Sequence, residues 1–242
     1  MGVIMIKGLK SFKEWFQGYE ENYAIIGGTA CDLLMNEAGI EFRATKDIDM
    51  VLIVEAFNTD FSSHFWKYIK TAGYEHRFKS NGKPEFYRFI KPKSLEYPTM
   101  IELFSRRIEG ITLHQDTMLT PIPVEDDISS LSAILLDNAY YDFLLNGVKL
   151  VDNIPILDAV HLIPFKAKAW LDLMMRKAKG DQIDSKNIRK HKNDIIRLSV
   201  LLSPENKINL PETIKSDMQY FLSKIDEPEK YSHIAKIYSL PR

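Results

Sequence analysis

The chain of 242 residues is 45% hydrophobic, enough to bury the core of one large domain or two modest ones. Lys and Arg number 32 against 33 Asp and Glu, a net charge of -1, which excludes a global basic field and confines any nucleic-acid surface to a local patch. The single cysteine, Cys31, excludes a disulfide framework and a four-cysteine zinc site, and reads as a small core residue.

The opening MGVIMIKGLK is too short and too weakly apolar for a signal peptide, and no run approaches the roughly twenty apolar residues of a membrane span. The expectation is a soluble cytoplasmic protein with no membrane partner. Phe12, Trp15 and Phe16 recur at helical spacing between Ile6 and Gln17 and predict a short amphipathic helix. Tyr23 to Ile26 then reads as a buried strand that breaks at Gly27-Gly28, where a missing Cβ lets backbone N–H groups approach a phosphate. Thr29 opens a helix to Glu37, and a helix N-terminus after a glycine pair favours an anion. A polar, cationic loop carries Arg43, Thr45 and Lys46 into Asp47-Ile48-Asp49. These two acids lead straight into Met50 to Val54, and their i, i+2 spacing puts both on one face of a strand.

Asn58 or Thr59 caps a predicted helix that ends at Gly73, with Phe61, Phe65, Trp66 and Ile69 on its apolar side. Tyr74 to Lys79 and Glu85 to Ile90 flank Ser80-Asn81-Gly82-Lys83, a strong hairpin signal. In Met100 to Phe104 a single acid, Glu102, interrupts an apolar strand. A buried carboxylate costs several kcal/mol unless paired, so Glu102 either shares a metal with Asp47 and Asp49 or meets a cation such as Arg106 or Arg107. Beyond Pro121 and Pro123 the pattern turns helical. The expected division is therefore a catalytic domain over 1–120 and a helical domain over 121–242. The latter begins with a helix from Ile128 to Leu145, followed by a short strand, Val148 to Val151, before Pro155. Helices are then expected over Asp158 to Lys179, interrupted by Pro164, over Ser185 to Leu202, and in two shorter pieces near the end.

Each signal is weak alone, but their order describes a metal-assisted nucleotidyl-transfer site: strand, glycine turn into a helix, Asp-x-Asp opening a strand, and a later strand acid. Haloacid-dehalogenase-type phosphatases and many glycosyltransferases carry an Asp-x-Asp at the end of an apolar strand, whereas here the apolar run follows Asp49. Mg²⁺ bound by oxygen ligands from Asp47, Asp49 and Glu102, as a two-ion site, is the expected cofactor.

Ile26 to Ala30 and the block Arg43-Ala44-Thr45-Lys46-Asp47-Ile48-Asp49 resemble the glycine turn and the Arg-x-Thr-x-Asp-x-Asp block of the AbiE-type (AbiEii) nucleotidyltransferase toxins, within the polymerase-β-like superfamily. Phe165 to Trp170 resembles that family's lysine-bearing helix, and Lys190 to Leu198 its closing block, with Asn193-Asp194 where the family has two spaced acids. The resemblance implies an α+β fold, a mixed sheet with flanking helices and then an all-helical domain. It also implies transfer from an NTP to a hydroxyl, tRNA favoured, and a toxin with a cognate antitoxin in phage defence. Asp47, Asp49, Glu102, Lys166 and Asp194 are the candidate catalytic residues, and Gly27, Gly28, Thr29, Arg43, Thr45, Lys166 and Lys168 the candidate nucleotide-binding ones. The alternative is an inactive nucleotide-sensing or partner-binding module on the same fold.

The stretch from Lys166 to Arg197 is locally basic, through residues such as Lys168, Lys186, Arg189, Lys190 and Lys192, and is the one place where an RNA backbone could dock. His191 shares a stripe with Ile188, Ile195 and Leu198 and reads as a packed core histidine.

Overall fold

The computed structural model describes residues 6–56, 58–78, 84–105, 134, 137–203, 205, 207–226 and 228–240. The fold is mixed α+β. The chain forms two compact units, Met1–Ile128 with Val148–Leu157, and Ser129–Gly147 with Asp158–Arg242.

The first unit holds a seven-stranded mixed sheet. Its strands are β1 (Tyr23–Ile26), β2 (Asp47–Leu52), β3 (Glu75–Phe78), β4 (Pro84–Ile90), β5 (Met100–Phe104), β6 (Val148–Val151) and β7 (Ile154–Leu157), in the spatial order β3-β4-β5-β2-β1-β7-β6. The pairs β5/β2 and β1/β7 are parallel and the others antiparallel. Register sorts the side chains by face. Tyr23, Ile48, Met50, Leu52, Ile101 and Phe89 share one face, and Ile26, Asp47, Asp49, Glu102 and Arg88 the other. The apolar face is covered by α1 (Leu9–Trp15) and α3 (Thr59–Ala72) through a layer of rings: Phe12 and Phe16 meet Tyr23, Phe16 meets Phe61 and Phe65, and Phe65 meets Phe89. Asn58 caps α3 by accepting from the Phe61 N–H at 2.8 Å, and Gly73 ends it with φ 66°, as the sequence predicts.

The expected strand Val148–Val151 forms as β6, and a further strand that contains Pro155 follows it. Asp152 and Asn153 take φ of 49° and 58°, the hairpin turn that favours Asn and Asp, and the chain returns as β7 beside β1. Val148–Leu157 therefore belongs to the sheet unit and not to a helical domain over 121–242. The residues around Pro121 and the expected helix start at Ile128 lie outside the described residues, as do Asn81-Gly82.

The second unit contains α4 (Asn138–Asn146), α5 (Ala159–Ala178), α6 (Ser185–Ser199), α7 (Glu212–Lys224) and α8 (Ser232–Ile237). Asp137, Asp158 and Asp184 cap α4, α5 and α6 with their carboxylates. Pro164 does not interrupt α5, which runs through it. Proline lacks the N–H that would bond to the Val160 carbonyl one turn back, and the Tyr238 hydroxyl donates to that carbonyl instead, at 2.6 Å. Trp170, Phe221 and Tyr231 stack edge to face in the core of this unit. No helix among the described residues is long and apolar enough to cross a membrane.

Candidate functional site

The glycine turn is more abrupt than its sequence suggests. Helix α2 (Gly27–Glu37) starts directly on β1, and its N-terminus has no side-chain cap. Gly27 adopts φ 70°, and the space a Cβ would take there is filled by the carboxylate of Asp49. That contact follows from register, because Ile26 pairs with Asp49 across the antiparallel β1/β2 ladder. At Gly28 a Cβ would stand 3.0 Å from Cγ2 of Thr45 and 3.3 Å from Nη2 of Arg43. The two glycines and the Arg43 to Asp49 block, separate in sequence, thus form one cradle around the first turn of α2.

The Thr29 side chain is turned to the fold, while its N–H belongs to the first turn of α2. The side chain is fully buried, and its hydroxyl donates to the Asp47 carbonyl at 2.7 Å, locking the helix onto the start of β2. The hydroxyl oxygen of Thr45, in contrast, is buried beside the glycine turn without a hydrogen-bond partner among the described residues, as suits an acceptor-bearing ligand such as phosphate.

The acids lie in a row. Asp49 pairs in register with Glu102 across the parallel β2/β5 ladder, and Glu102 with Arg88 across the antiparallel β5/β4 ladder. Glu102 forms an ion pair with Arg88, which explains an acid in that strand. Arg106 and Arg107, the cations named as the alternative to a shared metal, lie outside the described residues. Arg88 carries a legible signal of its own kind, a lone cation in the apolar run Phe86 to Ile90. Among the described residues, no group of three or more His, Cys, Asp or Glu side chains is gathered closely enough to hold a metal. Asp47 and Asp49, both partly exposed on one face, fit a divalent cation of the Mg²⁺ type, which takes one or two carboxylates and completes its shell with phosphate and water.

In the helical unit, Lys166 and Asp194 join the two blocks named above. Their side chains meet at 2.9 Å between α5 and α6 and are 5% and 1% exposed. Asp194 therefore has a partner on another helix. Lys168 contacts both carboxylate oxygens of Asp217, at 2.7 and 2.8 Å, and Asp217 also accepts from the Tyr140 hydroxyl at 3.0 Å. Burial and the Asp217 charge both push the Tyr140 phenol above its ordinary range. Sequence reasoning missed Asp217, Tyr140 and the cluster at the head of α5. There the Asp158 cap meets Nδ1 of His161 at 2.7 Å, and the imidazole lies against Gly147 and Phe143. Arg176 pairs with Asp181 and Lys192 with Asp226. Lys186, Arg189 and Lys190 lie on the exposed side of α6.

Comparison with protein-family models, with curated proteins and with solved structures gave no match.

Proposed function

We propose that the chain is a magnesium-dependent nucleotidyltransferase that moves a nucleotide from an NTP to a hydroxyl acceptor, on a sheet of the polymerase-β-like kind. The observation that carries this reading is the contact of Gly27 with the Asp49 carboxylate. It sets an anion-favouring helix N-terminus directly against a cation-binding pair of acids. A polyphosphate bridged by a divalent cation is the ligand that needs both at once.

The first-turn N–H groups of α2, the Arg43 guanidinium and the Thr45 hydroxyl bind phosphate oxygens. The acceptor oxygen attacks the α-phosphorus, the bond from that phosphorus to the bridging oxygen breaks, and pyrophosphate leaves with the electron pair. The acceptor proton passes to the Asp49 carboxylate. Asp47 and Asp49 would hold Mg²⁺, which when bound would supply Lewis acidity toward the phosphoryl oxygens and lower the pKa of the acceptor hydroxyl. Incorporation of labelled nucleotide into RNA or protein with Mg²⁺ tests the reading. The Asp47→Ala, Asp49→Ala double variant should lose it, and equal labelling by wild type and variant would sink the proposal.

The resemblance to AbiE-type toxins favours tRNA as acceptor and a toxin paired with an antitoxin in phage defence. Growth arrest on overexpression, relieved by the product of an adjacent small reading frame, is the expected outcome. Harmless overexpression with no such frame removes the toxin role.

A second reading keeps the nucleotide site and drops the transfer, and the engagement of Glu102 by Arg88 favours it. A nucleotide-sensing or partner-binding module would release bound NTP unchanged after long incubation, and release of pyrophosphate would exclude it.

A further inference from the structure

Asp32 lies in the second turn of α2, 6% exposed, in the run Ala30 to Met35 where every other residue is apolar. A carboxylate this deep is expensive. A buried ion pair is commonly no more stabilising than well-packed apolar residues of similar volume, so stability alone does not account for an acid here. Two groups answer it: Asn36, one turn further along α2, hydrogen-bonds to the carboxylate, and the Arg43 charge acts on it. Burial pushes the Asp32 carboxyl up from its ordinary value while Arg43 and Asn36 pull it down. Gly28, Asp32 and Asn36 follow one another at i, i+4 spacing and so line one stripe of the helix. Arg43 lies at the head of that stripe, with Nη2 at 3.3 Å and Nη1 at 3.7 Å from the position of a Cβ on Gly28.

We infer that Asp32 is a positioning residue, which holds the Arg43 guanidinium across Gly28 so that it is already aimed at the polyphosphate of an incoming nucleotide. This rests on the reading of the glycine turn as a nucleotide site. A free arginine side chain carries rotamer entropy, part of which is lost when it grips phosphate. An arginine fixed beforehand by a carboxylate loses less on binding, which is the gain from preorganisation. The fork geometry of guanidinium lets one edge face Asp32 and another face the ligand, which a lysine could not do. It also gives Gly28 a reason beyond its backbone, since a side chain there would crowd the arginine.

A double-mutant cycle tests the inference, with calorimetry of Mg²⁺ complexes of ATP, GTP, CTP and UTP on the full chain. Asp32→Asn should weaken the preferred nucleotide about tenfold, and should have no further effect when Arg43 is already alanine. Asp32→Ala, which places a better helix former at the position, is the second variant, and whichever is folded by circular dichroism enters the cycle. An equal loss in both backgrounds, or no loss in either, overturns the inference and leaves the nucleotide site standing. Loss of the fold in both variants also overturns it, by giving Asp32 a purely structural role. If the wild type binds none of the nucleotides, the site reading itself falls, and the role of Asp32 falls with it.

Discussion

The Asp49 carboxylate occupies the volume that a Cβ on Gly27 would need, and Gly27 holds a left-handed φ of 70° that L side chains avoid. The two constraints act together. Gly27→Ala should lose about 1–2 kcal/mol from the backbone alone, and should also push Asp49 off the first turn of α2. Gly28 has no such φ, and its Cβ needs the Thr45 methyl at 3.0 Å to give by only a few tenths of an ångström. Thermal unfolding should therefore show a larger drop for Gly27→Ala than for Gly28→Ala, with Mg²⁺-dependent nucleotide affinity lost in the former. Equal melting temperatures would contradict this account.

Lys166 and Asp194 are nearly sealed from water, so removing one partner strands the charge of the other. Lys166→Met alone or Asp194→Leu alone should cost about 3–5 kcal/mol, and the pair of changes together much less than their sum. Urea unfolding of the single and double variants measures the coupling. Simple additivity would mean that the two side chains do not depend on each other.

Much of the sheet unit was legible because its signals are local. The Asn58 cap, the Gly73 stop, the break at Gly27-Gly28 and the one-face pair Asp47 and Asp49 each depend on a few consecutive residues. The partners of Glu102, Lys166 and Lys168 were not, because Arg88, Asp194 and Asp217 are brought to them by sheet register and helix packing. Lone charges in apolar runs, Glu102, Arg88 and Asp32, mark where such partners must exist without saying which they are. The β7 strand is hidden for a local reason: it contains Pro155, a poor strand former, and only the Asp152-Asn153 turn before it signals the return.

Pro164 and Tyr238 offer a cleaner test of compensation. Tyr238→Phe strips the Val160 carbonyl of its hydroxyl donor, and should cost about 1–3 kcal/mol. In a Pro164→Ala background the restored N–H of residue 164 can take the same carbonyl, so Tyr238→Phe should then cost less. A cost independent of residue 164 would show that the hydroxyl matters for another reason.

If RNA is the acceptor, its backbone should meet the exposed cations of α6. Lys186, Arg189 and Lys190 are the residues to change, because all three are exposed on that helix. Replacing all three with alanine should lower the slope of log affinity against log salt by about 2–3 units while leaving nucleotide affinity in place. An unchanged slope would exclude α6 as the RNA contact and favour a protein hydroxyl as acceptor.

The last expectation concerns the pH dependence that Asp32 adds to stability. Burial raises its carboxyl pKa in the folded chain, the partial relief from Arg43 and Asn36 notwithstanding, so the folded state holds the proton more tightly than the unfolded state does. Stability then falls as pH rises from the unfolded carboxylate value through the raised folded one, and above that the full penalty of the buried charge is present. Asp32→Asn removes the charge, so it should be more stable than the wild type at pH 7, with the difference shrinking as both are acidified below the ordinary carboxylate range. Denaturant unfolding of the two chains from acid to neutral pH measures this directly. A gain in stability at pH 7 accompanied by weaker nucleotide binding would mark Asp32 as an acid retained for the site at the expense of the fold. A variant less stable than the wild type at pH 7 would instead show that the pair with Arg43 more than offsets burial.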